Sequence, residues 1–255
     1  MGDVLNDDLS GMNYFQSGGH GTTAGIQLRG LPKRYSTVYI DGVKMSDPST
    51  SDNSFYFSSI MNSAVDRVEI LRGSQSSLYG SSAIGGTINI YTKKGGKGKN
   101  KKFEITNGSN GTNNLLLSYD GANENHDYYI GVNKFVTEGI SAMNNDTLNL
   151  SDEDKYENDG LIANYGYKIN NNLKFESGLR YSDSFLNYDE VEQGRTDLNN
   201  STDDAELSYN LRLVHESGKF KNSLVYNKTD IERLVNTYQN NSKNYLGERA
   251  AIYFI

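Results

Sequence analysis

Carboxylates are the side chains of this 255-residue chain whose crowding could do chemistry. Asp146, Asp152, Glu153, Asp154 and Glu157 share one short stretch, and Asp159 lies just beyond it. A second stretch holds Asp183, Asp189, Glu190, Asp197, Asp203 and Asp204. Hard cations such as Ca2+ take about six to eight oxygen ligands, which carboxylates and Asn carbonyls can supply. The spacing is not that of an EF-hand, and a solvated, self-repelling loop is the competing reading. Glycoside hydrolysis would need two carboxylates fixed on facing strands. Here the acids crowd into connectors, so no enzyme is expected. His20, His126 and His215 are far apart, which argues against zinc, and without cysteine there is no disulfide or thiolate site. Gly85-Gly86 leads into a strand and fits no phosphate-loop spacing. A formal charge of −7 argues against a nucleic-acid surface.

The elements that would hold these acids read as strands. After the basic, Gly-rich run KKGGKGKNKK (93–102), read as a linker, about eight segments alternate. They are 102–107, 112–120, 127–137, 158–169, 173–183, 205–216, 219–229 and 242–255. In 173–183, Leu173, Phe175, Leu179 and Tyr181 share one face, and Lys174, Glu176, Arg180 and Ser182 the other. The segment 205–216 repeats this, with Leu207, Tyr209, Leu211 and Leu213 against Glu206, Asn210 and Arg212. The connectors at 121–125, 169–172 and 217–218 are short, and those at 138–157 and 184–204 are long. Short turns on one side and long loops on the other is the pattern of an outer-membrane barrel. No run of about 18 apolar residues exists to make a transmembrane helix. A mean hydropathy of −0.67 does not exclude a barrel, whose strands face polar residues inward. Nineteen tyrosines without tryptophan suit interfacial girdles, and two prolines leave long strands unbroken.

The first hundred residues are richer in motifs. Residues 64–92 read AVDRVEILRGSQSSLYGSSAIGGTINIYT. A strand over 65–71 ends at Arg72-Gly73, a polar turn carries Leu78-Tyr79-Gly80, and Gly85-Gly86 bends into a second strand over 87–92. Upstream stand GIQLRG (25–30) and YIDGV (39–43), where Asp41-Gly42 between β-formers signals a hairpin. In this order and spacing the pieces resemble the plug domain of TonB-dependent outer-membrane receptors. The resemblance runs from about Asp3 to Lys94, and residues 3–5 resemble the end of that plug's first helix.

The resemblance implies a mostly β fold: a plug with a small mixed sheet (1–96), then antiparallel strands of an incomplete outer-membrane β-barrel (97–255). The absence of a signal peptide and the apolar ending AIYFI suggest an internal fragment missing both ends. In this family two plug arginines pair with barrel glutamates, which implies Arg29 and Arg72 as plug-locking residues. The plug's apical loop touches ligand, which implies Ser51, Asn53, Phe55, Tyr56 and Phe57 as contacts. The wording RVEILRGSQSSLYGSSAIGGTINI is most similar to the cobalamin (vitamin B12) receptors, whose acidic outer loops bind Ca2+. Asp152, Asp154, Asp159, Asp183 and Asp189 are the corresponding candidates. The implied activity is import without chemistry, energised by TonB with ExbB and ExbD through a segment before the plug, in the outer membrane of a Gram-negative bacterium and in contact with its lipid. A ferric-siderophore receptor is the alternative within the family. A soluble carbohydrate-binding β-domain is the alternative outside it.

Overall fold

Two small sheets precede residue 93 in the computed structural model, which describes residues 11–50, 54–55, 57, 60, 64–74, 83–141, 153–189, 200–237 and 241–254. Residues 3–5 and Leu78-Tyr79-Gly80 lie outside the described residues. β1 (Met12–Gln16) and β2 (Ala24–Leu28) form an antiparallel hairpin. After a 3-10 turn at Lys33–Tyr35 come β3 (Ser36–Ile40) and β4 (Val43–Met45). The turn between them is Asp41-Gly42, with φ of 50° and 78°, the two positive values a type I′ turn requires. β5 (Val65–Arg72) and β6 (Gly86–Thr92) fall within a residue of the predicted strands. The sheet order is β4-β3-β6-β5, with β3 and β6 parallel and the other pairs antiparallel, so it is mixed as expected.

Ile26, Leu28, Val38, Ile40, Val43, Ile88 and Ile90 bury into one apolar core. Each such side chain contributes about 1.5–3 kcal/mol of transfer free energy. Gly86 enters this core with φ of 151°. A Cβ there would stand 2.4 Å from the Leu71 carbonyl oxygen and 2.8 Å from Leu28 Cδ1. Gly86→Ala is therefore expected to destabilise the small sheet by about 2–3 kcal/mol. A urea midpoint equal to the parent's would contradict this.

The second body is an eight-stranded antiparallel wall in sequence order. It comprises β7 (Gly98–Asn107), β8 (Asn113–Ala122), β9 (His126–Thr137), β10 (Tyr156–Lys168), β11 (Leu173–Tyr188), β12 (Asn200–Ser217), β13 (Phe220–Asn236) and β14 (Ser242–Phe254). One face meets the small sheet. The other carries exposed Phe103, Ile105, Leu117, Ile130, Val132, Leu179 and Leu211. A continuous apolar face of this extent is what lipid requires and water disfavours.

The wall differs from the sequence expectation in two ways. β11, β12 and β13 span 16, 18 and 17 residues, which draws Asp203 and Asp204 out of the predicted loop, while Asp159 on β10 and Asp183 on β11 lie within their predicted strands. An 18-residue strand is about 60 Å long and, tilted, rises about 45 Å, well past an apolar band about 25 Å tall. Above the band both faces are polar, so alternation fades while the hydrogen-bond ladder continues. The predicted linker also folds: β7 begins at Gly98, inside it. Gly95 presses against the next hairpin, where a Cβ would meet the Gly121 carbonyl and the Tyr128 N–H. Its glycine serves close approach rather than flexibility.

Candidate functional site

The small sheet is fastened to the wall chiefly by arginines that project inward from β12, β13 and β14. Asp41, at the β3–β4 turn, accepts from the Thr92 N–H at 3.0 Å and the Thr92 hydroxyl at 2.5 Å, which ties the hairpin to the end of β6. Its own carbonyl accepts from Arg212 Nη2 at 2.6 Å. Asn164 on β10 donates to Thr92 Oγ1 at 2.7 Å and to the Lys93 carbonyl at 2.8 Å. Lys94 then pairs with Glu176 on β11 at 3.1 Å.

Further along the hairpin, Arg249 donates to the Lys44 carbonyl at 3.1 Å and to Ser46 Oγ at 2.9 Å. Burial, and then the nearby Arg249, hold the Lys44 ammonium below its ordinary pKa. Arg233 makes the densest set. Its Nη2 meets Asp47 at 3.1 Å, its Nε meets Asp204 at 2.5 Å, and its Nη1 donates to Ser49 Oγ at 3.3 Å. Asp47 is buried, and its other oxygen accepts from the Ser49 N–H at 2.9 Å, closing an Asx turn. Pro48 and Ser49 fit against β14 because Gly247 has no side chain. A Cβ there would lie 2.8 Å from both Pro48 Cγ and the Ser49 nitrogen. One guanidinium thus joins a turn of the small sheet to the wall and satisfies two carboxylates.

Beside this clasp opens a small recess lined by Phe55, Tyr156, Ser182, Ser184, Asp204, Glu206 and Arg233 among others. Glu206 faces Arg180 in a two-point contact. Hydroxyls, carboxylates already paired with guanidinium, and two aromatic rings can hold a ligand by hydrogen bonds and flat contact.

The predicted site residues fall unevenly on this map. Phe55 lines the recess, whereas Phe57 is buried in the small-sheet core, its ring edge-on to Phe55 at 5.2 Å. Ser51, Asn53 and Tyr56 lie outside the described residues. Arg29 takes a φ of 56° and points its guanidinium toward Gly73, next to Arg72. Among the described residues neither arginine has an ion-pair partner. Asp154 is buried at the base of the first acidic loop, and Asp189 at the base of the second accepts from the Ser141 hydroxyl at 3.3 Å. The Asn187 N–H donates to the Lys155 carbonyl at 2.8 Å, so the two loop bases touch. Asp159 and Asp183 sit elsewhere. They are opposed across β10 and β11 on the outer face, where Lys134 holds Asp159 at 3.1 Å and the Tyr181 hydroxyl donates to Asp183 at 3.0 Å. Asp152 lies outside the described residues. Among the described residues no three acidic or histidine side chains converge. Asp159 and Asp183, engaged on the outer face, are thus set apart from Asp154 and Asp189 at the loop bases.

Sequence does not announce Arg212, Arg233 and Arg249 as a group. Each sits on the polar face of an alternating strand, which is the available signal. Their common target is visible only once β12, β13 and β14 lie side by side.

Residues 1–87 match the TonB-dependent receptor plug domain family. Over 193 residues the chain is 29% identical to the vitamin B12 transporter BtuB of Vibrio vulnificus, covering 73% of this chain and 30% of that protein. It is 30% identical over 175 residues to the vitamin B12 transporter BtuB of Photobacterium profundum, covering 68% of this chain and 28% of that one. The chain therefore spans less than a third of the length of these relatives. In structure it is similar to the siderophore receptor PirA from Acinetobacter baumannii, with a TM-score of 0.73 and 17% identity over 98% of this chain and 41% of that chain. It is also similar to the ferric enterobactin receptor PfeA from Pseudomonas aeruginosa, at 0.72 and 14% over 99% and 43%. At such identities the likeness speaks for the fold.

Proposed function

From its membership of the TonB-dependent receptors of the Gram-negative outer membrane, we propose that the protein takes part in the active import of cobalamin across that membrane. The family is one of transport receptors rather than enzymes. The observation that carries the choice of ligand is the charge balance beside the plug. Among the described residues, every arginine that reaches the plug from the wall is already engaged: Arg212 by the Asp41 carbonyl, Arg233 by two carboxylates, Arg249 by a carbonyl and a hydroxyl. The recess holds three carboxylates, Asp47, Asp204 and Glu206, and one guanidinium, that of Arg233. An anionic ferric chelate would need cations to spare. A corrinoid, whose periphery is a ring of amides, needs hydrogen-bond partners and flat apolar contact, which Tyr156, Phe55 and the serines supply. The vitamin B12 transporters among the relatives support the same reading. The siderophore reading rests on the structural neighbours, whose likeness is one of fold.

In the proposed cycle, ligand settles on the outer side of the plug, in contact with Phe55 and the segment that contains Ser51, Asn53 and Tyr56. The plug closes the barrel until TonB, with ExbB and ExbD, pulls a segment upstream of the plug. Arg29 and Arg72 are proposed to bind barrel carboxylates, and Ca2+ to hold the two acidic loops in their ligand-ready arrangement. A soluble carbohydrate-binding domain would not leave Phe103 and Ile105 at 66% and 58% exposure on one continuous apolar face. The test is competition on the receptor in detergent. Unlabelled cyanocobalamin should displace labelled cyanocobalamin, and ferric enterobactin should not. Specific binding of labelled ferric enterobactin, undisplaced by cyanocobalamin, would reverse the assignment.

A further inference from the structure

The outer face of the wall changes character at the end where the short turns lie, which is the periplasmic side of an outer-membrane barrel. Above that end Phe103 and Ile105 mark the start of the apolar band on β7. Below them, on the same face of the same strand by the two-residue period, stand Lys101 and Lys99. Both are exposed. Three lysines elsewhere on the wall are neutralised: Lys134 by Asp159, Lys174 by Asp127, Lys228 by Glu248. Among the described residues, Lys99 and Lys101 have no carboxylate partner.

Their neighbours are phenols. Lys101 is directly opposite Tyr119 on β8, and Lys99 is opposite Gly121. The Tyr128 ring folds over Gly121, where a Cβ would come within 2.5 Å of its hydroxyl, and that hydroxyl donates to Tyr119 at 3.2 Å. Tyr165 follows opposite Tyr128 on β10. Two ammonium groups thus sit where hydrocarbon gives way to water, next to the Tyr119 hydroxyl, which accepts from Tyr128 and keeps its own proton for an outside acceptor. Tyrosines at this depth place a ring among acyl chains and a hydroxyl among headgroups.

We propose that Lys99 and Lys101, with Tyr119 and Tyr128, bind the phosphodiester of an anionic glycerophospholipid in the periplasmic leaflet. The ammonium groups supply charge, the phenols supply direction, and the apolar surface at Phe103 takes the acyl chains. The proposal rests on the outer-membrane barrel and is independent of which nutrient is imported.

The receptor is reconstituted in phosphatidylcholine nanodiscs containing phosphatidylglycerol, and retained lipid is counted by native mass spectrometry after transfer to detergent. Phosphatidylglycerol should be retained in preference to phosphatidylcholine. A juxtamembrane lysine is worth about a factor of five, so Lys99→Gln with Lys101→Gln should weaken retention about 25-fold. Lys99→Arg with Lys101→Arg should preserve it, Tyr119→Phe should lower it severalfold, and Lys134→Gln should leave it unchanged. Equal retention by the double Gln variant and the parent would overturn the proposal. So would displacement of the lipid by millimolar inorganic phosphate, which would mark a free-anion site. A parent that enters no bilayer of any composition would refute the barrel itself, a failure distinct from loss of headgroup preference.

Discussion

Arg233→Ala is expected to loosen the plug from the wall by about 2–3 kcal/mol. The guanidinium is largely buried and serves Asp47, Asp204 and Ser49 together. Its removal leaves two carboxylates facing each other with no cation between them, and breaking a buried pair from one side costs about 3–5 kcal/mol before solvent screening. Arg233→Lys should recover only part of this, because one ammonium cannot reproduce a three-pronged planar contact. The readout is a Cys at Thr50, in the clasped turn, titrated with a thiol reagent as urea is raised. The turn should open at distinctly lower urea in Arg233→Ala. Asp204→Asn in the Arg233→Ala background should restore part of the loss by removing one of the stranded charges, a coupling that a double-mutant cycle would register. Unchanged labelling in the single variant would mean that the Arg212 and Arg249 contacts hold the turn unaided.

Removal of calcium is expected to lower cobalamin affinity about tenfold or more, within the range of ordinary coupling between two sites. The acidic loops meet at their bases through Lys155, Asn187, Ser141 and Asp189, with buried Asp154 close in sequence. Anions gathered there repel one another unless a cation neutralises them, and a loop ordered beforehand loses less entropy when ligand arrives. Asp154→Asn with Asp189→Asn should abolish the difference between calcium buffer and chelator. Asp159→Asn should leave that difference intact, because Asp159 faces outward against Lys134. Identical affinity with and without calcium in the parent would leave the loops as solvated acids.

Much of the scaffold is legible in the sequence, for local reasons. Asp41-Gly42 fixes its hairpin because few other pairs accept positive φ twice. β5, β6 and the spans of β8 to β13 that lie within the apolar band declare themselves because one face meets apolar surroundings and the other does not. The same cause hides the rest. Residues 184–188 and 200–204 continue β11 and β12 where both faces are polar, so ladder hydrogen bonds persist without a compositional trace. The hairpin of β1 and β2 is short and brackets a glycine-rich stretch that reads as loop. The clasp is hidden differently. Arg233 looks like any polar inward residue of an alternating strand, and its partner Asp47 lies far away in sequence, in a serine-rich loop. Pairings of that range are set by how the plug seats in the wall, which no local pattern encodes.

The parallel pairing of β3 with β6 has a mechanical consequence. A pull entering upstream of β1 and resisted at Lys94 reaches the hairpin first. Met12 and Leu28 are paired at its open end, so the force peels its hydrogen bonds apart one at a time. β3 and β6 are loaded differently. The force enters at Ser36, the anchor lies beyond Thr92, and these are opposite ends of two parallel neighbours. Five residue pairs, from Ser36–Gly86 to Ile40–Ile90, must then slide past one another together. The plug is accordingly built with a soft leader that yields to a weak tug and a stiff knot behind it, so a passage could open by unravelling the first while the second stays tied.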